Sequence, residues 1–104
     1  MMGELMNAII VKIDDEDILE MIPDYLDNRR AELEALENAV NQKDFDTLRG
    51  LGHKMKGSGG GYGLDLITEI GGKLETAAKA HDLTGSAREI ERLIDFLERV
   101  EVIA

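Results

Sequence analysis

The sequence predicts an all-α protein: an antiparallel, up-down-up-down four-helix bundle with a short extra N-terminal helix. Leu, Ile, Ala, Glu and Lys are abundant and only 4% of the 104 residues are aromatic, which favours helices over sheets. Apolar residues recur at helical spacing in four long segments. The connections between these segments are short, so neighbouring helices should run antiparallel.

Composition and charge limit the classes of protein to which this chain can belong. A length of 104 residues fits one domain, with no room for a separate nucleotide-binding lobe. The formal net charge of −10 argues against binding to nucleic acid or to an anionic membrane surface. There is no cysteine, no basic signal segment and no apolar run of about 18 residues, so we expect a cytoplasmic protein without disulfides.

The N-terminal end carries the weakest structural signal. Residues 1–13 are predicted to form an extended or partly disordered leader, followed by one domain over residues 14–104. Residues 8–13 are apolar and β-branched, which is typical of a strand, but no second segment has the pattern of a partner strand. We therefore expect this leader to lie against the bundle or to contact another protein.

The first predicted helices begin and end at recognisable residues. Asp14 or Asp15 can cap the short first helix, which reaches Ile22. Pro23 suits the first turn of the next helix, because proline has no N–H to leave unpaired there. This second helix is predicted to run to about Asn41.

The second half of the chain continues the helical pattern. Asp44 can cap a third helix, which ends near residues 57–61. A run of Gly and Ser then leads to a structural turn at Gly63. A fourth helix covers residues 64–80, and a capping box at residues 86–89 starts the last one.

The third helix carries a distinctive exposed surface. On a helix with about 100° per residue, its apolar residues form one stripe, and His53 lies nearly opposite, facing water. Arg49 and Lys56 lie one turn away on one flank of this histidine, and Gly50 and Gly57 lie on the other flank. The sequence therefore predicts an exposed imidazole with cations on one side and bare backbone on the other.

The glycines of this helix need an explanation, because each costs about 0.8–1.0 kcal/mol relative to alanine in a helix interior. Gly52 falls on the core side, where a small residue lets another helix come close. Gly50 and Gly57 face away from the core, so we infer that a partner must approach the backbone beside His53. The alternative is a weakly formed helix with an incidental surface histidine.

The same stretch resembles a known family. His53-Lys54-Met55-Lys56-Gly57-Ser58, followed by Tyr62-Gly63-Leu64, is similar to the signature of histidine-containing phosphotransfer (HPt) domains. The run Gly59-Gly60-Gly61 departs from it, since the family more often has Ala or Ser there, and this run would loosen the helix end. A matching order of helices extends from about Ile13 to Val100. The resemblance implies the same fold, an up-down-up-down four-helix bundle.

The resemblance also implies a function. HPt domains take phosphate from an aspartyl phosphate on one receiver domain and pass it to another receiver, so His53 would be the phosphorylated residue. This chain would be a phosphoryl carrier without its own ATP site, cofactor or metal, and Mg²⁺ would sit on the receiver. Its partners would be response-regulator receiver domains and a hybrid sensor histidine kinase. We expect the chain itself to be a monomer.

Three further side chains are assigned roles. Lys56 matches the signature and would balance the phosphate charge; otherwise it is an ordinary solvated lysine. Arg49 is assigned the same role from helical geometry alone and is equally consistent with a surface charge. Glu75, 22 residues after His53, holds the position from which a polar side chain of the family often bonds the imidazole. Alternatively, Glu75 forms an i, i+4 pair with Lys79 on an exposed helix face.

Phosphate transfer to a histidine makes three demands that this stretch can meet. One ring nitrogen must be unprotonated, which the ordinary histidine pKa of about 6.5 allows at pH 7. Cations must balance the charge on the transferring group. The donor must also reach the nitrogen in line, which needs open space beside the ring.

Other chemistries find less support in the sequence. The glycine run lacks the Gly-Lys-Ser/Thr ending of a phosphate-binding loop. No pattern places the two histidines, His53 and His81, together, so a zinc site is not expected. Two other functions stay open: an interaction module that moves no phosphate, and a substrate domain that a kinase phosphorylates directly on His53.

Overall fold

The computed structural model describes residues 7–104 of the chain. The prediction of partial disorder at the N-terminus falls mainly on residues 1–6, which lie outside this range. The described residues form five α-helices, two strands and one turn of 3-10 helix. The strands are β1 (Ile9–Lys12) and β2 (Val100–Ile103), and the 3-10 turn is Gly60–Tyr62. The helices are α1 (Glu16–Ala31), α2 (Leu33–Gln42), α3 (Phe45–Ser58), α4 (Asp65–Lys79) and α5 (Leu83–Arg99).

Helices α2 to α5 form a four-helix bundle. α2 packs against α3 and α5, and α4 packs against the same two helices. Apolar residues at helical spacing place large side chains between them, away from water. Fully buried side chains from all four helices include Leu36, Leu48, Met55, Ile67, Ile70, Leu74, Leu93 and Phe96. The predicted helical bundle is confirmed.

Helices α3 and α4 run in opposite directions. A Cβ built on Gly52 would lie 2.8 Å from the backbone N of Glu75, and one built on Gly59 would lie 2.7 Å from that of Thr68. Residues further along the α3 side of the pair therefore meet residues nearer the start of α4. The up-down order of the other neighbouring helices stays a prediction.

The N-terminal helix differs from the prediction of a short helix that ends near Ile22. α1 has 16 residues and continues through Pro23 to Ala31, and α2 begins after Glu32. A proline inside a helix removes one backbone hydrogen bond and costs about 3 kcal/mol. Tertiary packing outweighs that cost, because α1 buries side chains on both sides of the proline. These buried residues are Ile22, Tyr25, Leu26 and Arg29.

Aspartates cap three of the helices. Asp15 and Asp44 cap α1 and α3, as predicted, by accepting backbone N–H groups of the first turn. Asp82 does the same for α5, where it accepts the N–H of Gly85 at 2.9 Å. α5 therefore starts earlier than expected. The capping box predicted at residues 86–89 is wrong, since those residues lie inside the helix.

The expectation that the N-terminal strand has no partner is wrong. β1 pairs in parallel with β2, in register from Ile9 with Val100 to Lys12 with Ile103. Alternate residues of both strands are half-buried against the core, and this packing matters because an isolated two-stranded sheet is only marginally stable. β2 has four residues and directly follows α5, so its alternation is too short to stand out from the helical stripe before it.

The connection between α3 and α4 is tightly packed. Gly63 has a φ of 76°, in the left-handed region that favours glycine, and a Cβ there would lie 2.6 Å from Cδ1 of Ile13. Ile13, just after β1, is 5% exposed and donates its N–H to the carbonyl of Ile103. The strand pair is therefore packed, through Ile13, against the turn that follows the histidine helix.

Candidate functional site

His53 lies on the outer surface of α3, where its side chain is 72% exposed. Its Nδ1 is 2.9 Å from Oε2 of Glu75, on α4. Within residues 7–104, Nε2 forms no hydrogen bond. An ionised carboxylate can only accept a hydrogen bond, so the ring proton belongs on Nδ1 and the lone pair on Nε2. The neutral tautomer that this contact favours therefore presents the Nε2 lone pair at the surface.

Glycines bring α4 close enough for Glu75 to reach His53. A Cβ on Gly52 would lie 2.9 Å from the carbonyl O of Gly71, and one on Gly71 would lie 2.5 Å from the backbone N of Lys56. These distances leave no room for side chains, so the two backbones are in contact. The explanation predicted for Gly52, a close approach of another helix, is confirmed, and Gly71 is its counterpart on α4.

Two lysines contact the Glu75 carboxylate. Lys56 Nζ is 3.6 Å from Oε1, and Lys79 Nζ is 3.7 Å from Oε2, the oxygen that also binds His53. Both lysine side chains are more than half exposed, whereas the Glu75 side chain is 9% exposed. The stem of Lys56 lies across Gly72. One buried carboxylate is thus shared by an imidazole and two exposed cations.

These contacts set the protonation state of Glu75. Burial acts to raise its pKa, but the hydrogen bond with His53 acts in the opposite direction. The positive charges of Lys79 and Lys56 lower the pKa as well, and the pKa of Glu75 lies below its ordinary value of 4.5. Glu75 is therefore an anion at neutral pH, as an acceptor of the imidazole proton must be.

The structure brings together part of the predicted site. His53, Glu75 and Lys56 belong to one contact network, whereas Arg49 is exposed and forms no ion pair within the described range. Glu75 makes both of the contacts considered for it, since it bonds the imidazole and also pairs with Lys79, but it is buried and not on the exposed face that the second alternative assumed. Lys79 also belongs to this network, although it was not among the predicted site residues. The available signal was its i+4 spacing from Glu75.

The backbone on one flank of His53 is open. Among the described residues, no atom lies within 4 Å of the position that a Cβ would take on Gly50 or on Gly57. Lys54, the residue after His53, does not cover this backbone, because it pairs with Glu32 at the junction of α1 and α2, with Nζ 2.8 Å from Oε2. The rest of the described chain therefore leaves this surface uncovered.

Helix α1 packs against the end of α3 that follows the histidine. Tyr25 Oη and Ser58 Oγ are 2.7 Å apart, and the rings of Tyr25 and Tyr62 have centroids 4.3 Å apart. The buried Arg29 lies over the Tyr25 ring and pairs with Glu32, with Nε 2.8 Å from Oε1, although its Nε–H is not hydrogen-bonded. These contacts fix α1 against the C-terminal turn of α3.

A protein family matches most of the chain. The family model of the Hpt domain covers residues 20–102. This chain belongs to the Hpt domain family. Hpt domains are phosphotransfer carriers of two-component phosphorelays, and their partners are in general receiver domains and kinases. Comparison with curated proteins found no significant match, and neither did comparison with solved structures.

The Hpt match contains the whole contact network around His53. Residues 20–102 include α3 and α4, whereas β1 precedes the matched range. Within residues 7–104, no helix is both long enough and apolar enough to cross a membrane. In the same part of the chain, no three His, Cys, Asp or Glu side chains are grouped so as to hold a metal ion.

Proposed function

We propose that this Hpt domain carries a phosphoryl group on Nε2 of His53. It takes the group from the aspartyl phosphate of one receiver domain and passes it to the aspartate of another. The observation that carries this proposal is the 2.9 Å hydrogen bond from Nδ1 to Glu75, made by a side chain that is 72% exposed. It supports a nucleophile that is both oriented and accessible.

The transfer step follows from that arrangement. The Nε2 lone pair attacks phosphorus in line, the P–O bond to the aspartyl carboxylate breaks, and the carboxylate leaves as an anion. The Nδ1 proton stays hydrogen-bonded to Glu75, whose negative charge stabilises the positive charge that develops on the ring. At the second receiver an aspartate attacks the phosphorus and the N–P bond breaks.

Positive charge near the ring balances the transferring group. Lys56 Nζ lies 3.6 Å from Glu75 and its side chain is 57% exposed, so it can rotate toward phosphoryl oxygens on His53. Arg49, one turn before the histidine and exposed, is expected to add charge on the same flank. The receiver supplies the magnesium ion in this proposal.

The receiver docks on the open side of α3. Gly50 and Gly57 leave the backbone beside His53 uncovered by other described residues. In-line attack requires the phosphorus to come within about 3–3.5 Å of the attacking nitrogen. A bulky side chain on this flank would keep the receiver beyond that distance. The contact is transient, because the phosphoryl group passes between successive partners.

Phosphate transfer from a defined donor tests the proposal. The protein is incubated with receiver domains that carry a labelled aspartyl phosphate, and acid-labile, base-stable phosphate on this chain is measured. Label should appear on the wild type and be absent from His53→Gln. His81→Gln is the control, because His81 follows the end of α4 and stacks on Phe45, the first residue of α3, so it should not take part. Label that persists in His53→Gln would exclude His53 as the acceptor.

The same assay separates the other two functions. A second incubation replaces the phosphorylated receiver with a histidine kinase and ATP. Labelling by the kinase alone would favour a substrate domain, and no labelling by any donor would favour an interaction module. Labelling by a receiver, followed by loss of the label to a second receiver, supports the relay.

A further inference from the structure

Lys79 contacts the carboxylate that bonds the imidazole of His53. Its Nζ is 3.7 Å from Oε2 of Glu75, the same oxygen to which His53 Nδ1 is hydrogen-bonded at 2.9 Å. The Lys79 side chain is 61% exposed, so little packing holds it in one rotamer. The ammonium group lies on the exposed side of its contact with Glu75 and can therefore rotate toward another anion at the surface.

Lys56 approaches the same carboxylate from the other helix. Its Nζ, on α3, is 3.6 Å from Oε1, whereas Lys79 belongs to α4. Two ammonium groups thus share one carboxylate, and with a neutral imidazole the local charge is positive. This surplus lies beside the ring to which a phosphoryl group with about two negative charges would be attached.

We propose that Lys79 is a second phosphoryl-stabilising lysine. It pairs with Glu75 in the free protein and contacts the phosphoryl oxygens once His53 is phosphorylated. This inference rests on the proposed function. The phosphoryl group competes for the ammonium because it carries more negative charge than the carboxylate and offers three acceptor oxygens. Lysines from two helices then hold the group.

Helix α4 offers a matched control. Lys73 is 60% exposed and pairs with Glu69 at i, i+4 with a distance of 3.9 Å, while Lys79 pairs with Glu75 at the same spacing with 3.7 Å. The carboxylate that pairs with Lys79 also binds His53, and this is the difference that matters for the site. Lys79→Gln and Lys73→Gln remove the same charge from similarly exposed positions.

The rate of phosphate acceptance from a phosphorylated receiver distinguishes the two variants. We expect Lys79→Gln to slow acceptance about tenfold, because one cation at the transferring group is lost, whereas Lys73→Gln should match the wild type. Lys79→Arg should recover most of the rate, since it restores the charge. Thermal unfolding should change little in all three variants, because exposed ion pairs contribute little stability.

Two NMR measurements test direct contact with the phosphoryl group. The ¹⁵N resonance of Lys79 Nζ should shift on phosphorylation, and that of Lys73 should not. The ring ¹⁵N shifts of His53 should report the same tautomer in Lys79→Gln as in the wild type. An altered tautomer would mean that Lys79 acts through Glu75, and would overturn the direct contact.

The rates also keep this inference separable from the proposed function. Equal acceptance by Lys79→Gln and Lys73→Gln, with normal acceptance by the wild type, would contradict the role of Lys79 and leave the proposed function intact. Failure of the wild type to accept phosphate from any phosphorylated receiver would contradict both.

Discussion

Glycines on the two faces of α3 serve opposite purposes. On the face that meets α4, a Cβ on Gly52 would lie 2.8 Å from Glu75 N, which no real side chain tolerates. On the outer face, a Cβ on Gly50 or Gly57 would have no neighbour within 4 Å among residues 7–104. The same residue type therefore permits helix contact on one face and leaves the backbone open on the other.

The fold requires glycine on the inner face of α3, but it does not require glycine on the outer face. The inner glycine is explained by the close approach of the two backbones. Each outer glycine costs up to about 1 kcal/mol relative to alanine in a helix interior and makes no compensating contact within the described chain. We infer that glycine is present at these two positions because a partner protein must approach the backbone beside His53.

The largest effect is expected from Gly52→Ala. The added methyl group would meet Glu75 N and the Gly71 carbonyl, and backbone atoms cannot move aside as a flexible side chain can. The helices must separate, so we expect the free energy of unfolding to fall by about 3 kcal/mol. Urea unfolding measures this loss, with Gly50→Ala as the control on the opposite face. A urea midpoint of Gly52→Ala equal to that of the wild type would show that the inner face tolerates a side chain at this position.

The next effect concerns transfer rather than stability. Gly57→Gln should reduce the rate of phosphate acceptance from a receiver at least tenfold, about 1.4 kcal/mol in the activation barrier, because the side chain fills the docking surface. Stability should not fall, since glutamine is a better helix former than glycine. Receiver-to-protein transfer and thermal unfolding are measured together. Acceptance at the normal rate by Gly57→Gln would refute the docking surface.

The two faces of α3 could be predicted because helical periodicity alone assigns them. The apolar stripe contains the buried Leu48 and Met55, and the residue opposite, His53, is exposed as expected. The hydrogen bond to Glu75 depends on how α4 lies against α3, so the sequence offered it only through the family resemblance. Lys79 entered the site through the same tertiary contact.

The N-terminal region was harder to predict because tertiary packing overrides its local signals. Pro23 has the local character of a helix start, yet burial of residues on both sides keeps α1 continuous. β1 looked unpaired because its partner, Val100–Ile103, is a four-residue strand joined directly to α5. Neither feature could be inferred from residues close in sequence.

A smaller effect of opposite sign is expected from Gly50→Ala. The methyl group enters open space and removes the glycine penalty within α3, so the free energy of unfolding should rise by about 0.8–1.0 kcal/mol. For a domain of this size the Tm should rise by about 4–8 °C. Thermal unfolding measures the rise, and Gly52→Ala, two residues away, should move in the other direction. A lower Tm would mean that the outer face is covered after all.

The smallest effect is expected at Glu75, the residue of α4 that contacts both the inner face of α3, near Gly52, and the exposed His53. Its pKa is lower in the folded protein than its ordinary value of 4.5, because His53 and the lysines stabilise the anion. The resulting stabilisation is fully present above pH 4.5 and is lost as the pH falls through the folded-state pKa. Glu75→Gln has no such charge, so its deficit in unfolding free energy relative to the wild type should shrink as the pH is lowered from 5 to 3, a range in which the charge of His53 is constant. Urea unfolding across this range measures the deficit, which should be small because the lysine partners are exposed. A deficit that stays constant or grows toward acid would show that the Glu75 carboxylate gains nothing from its contacts with His53 and the two lysines.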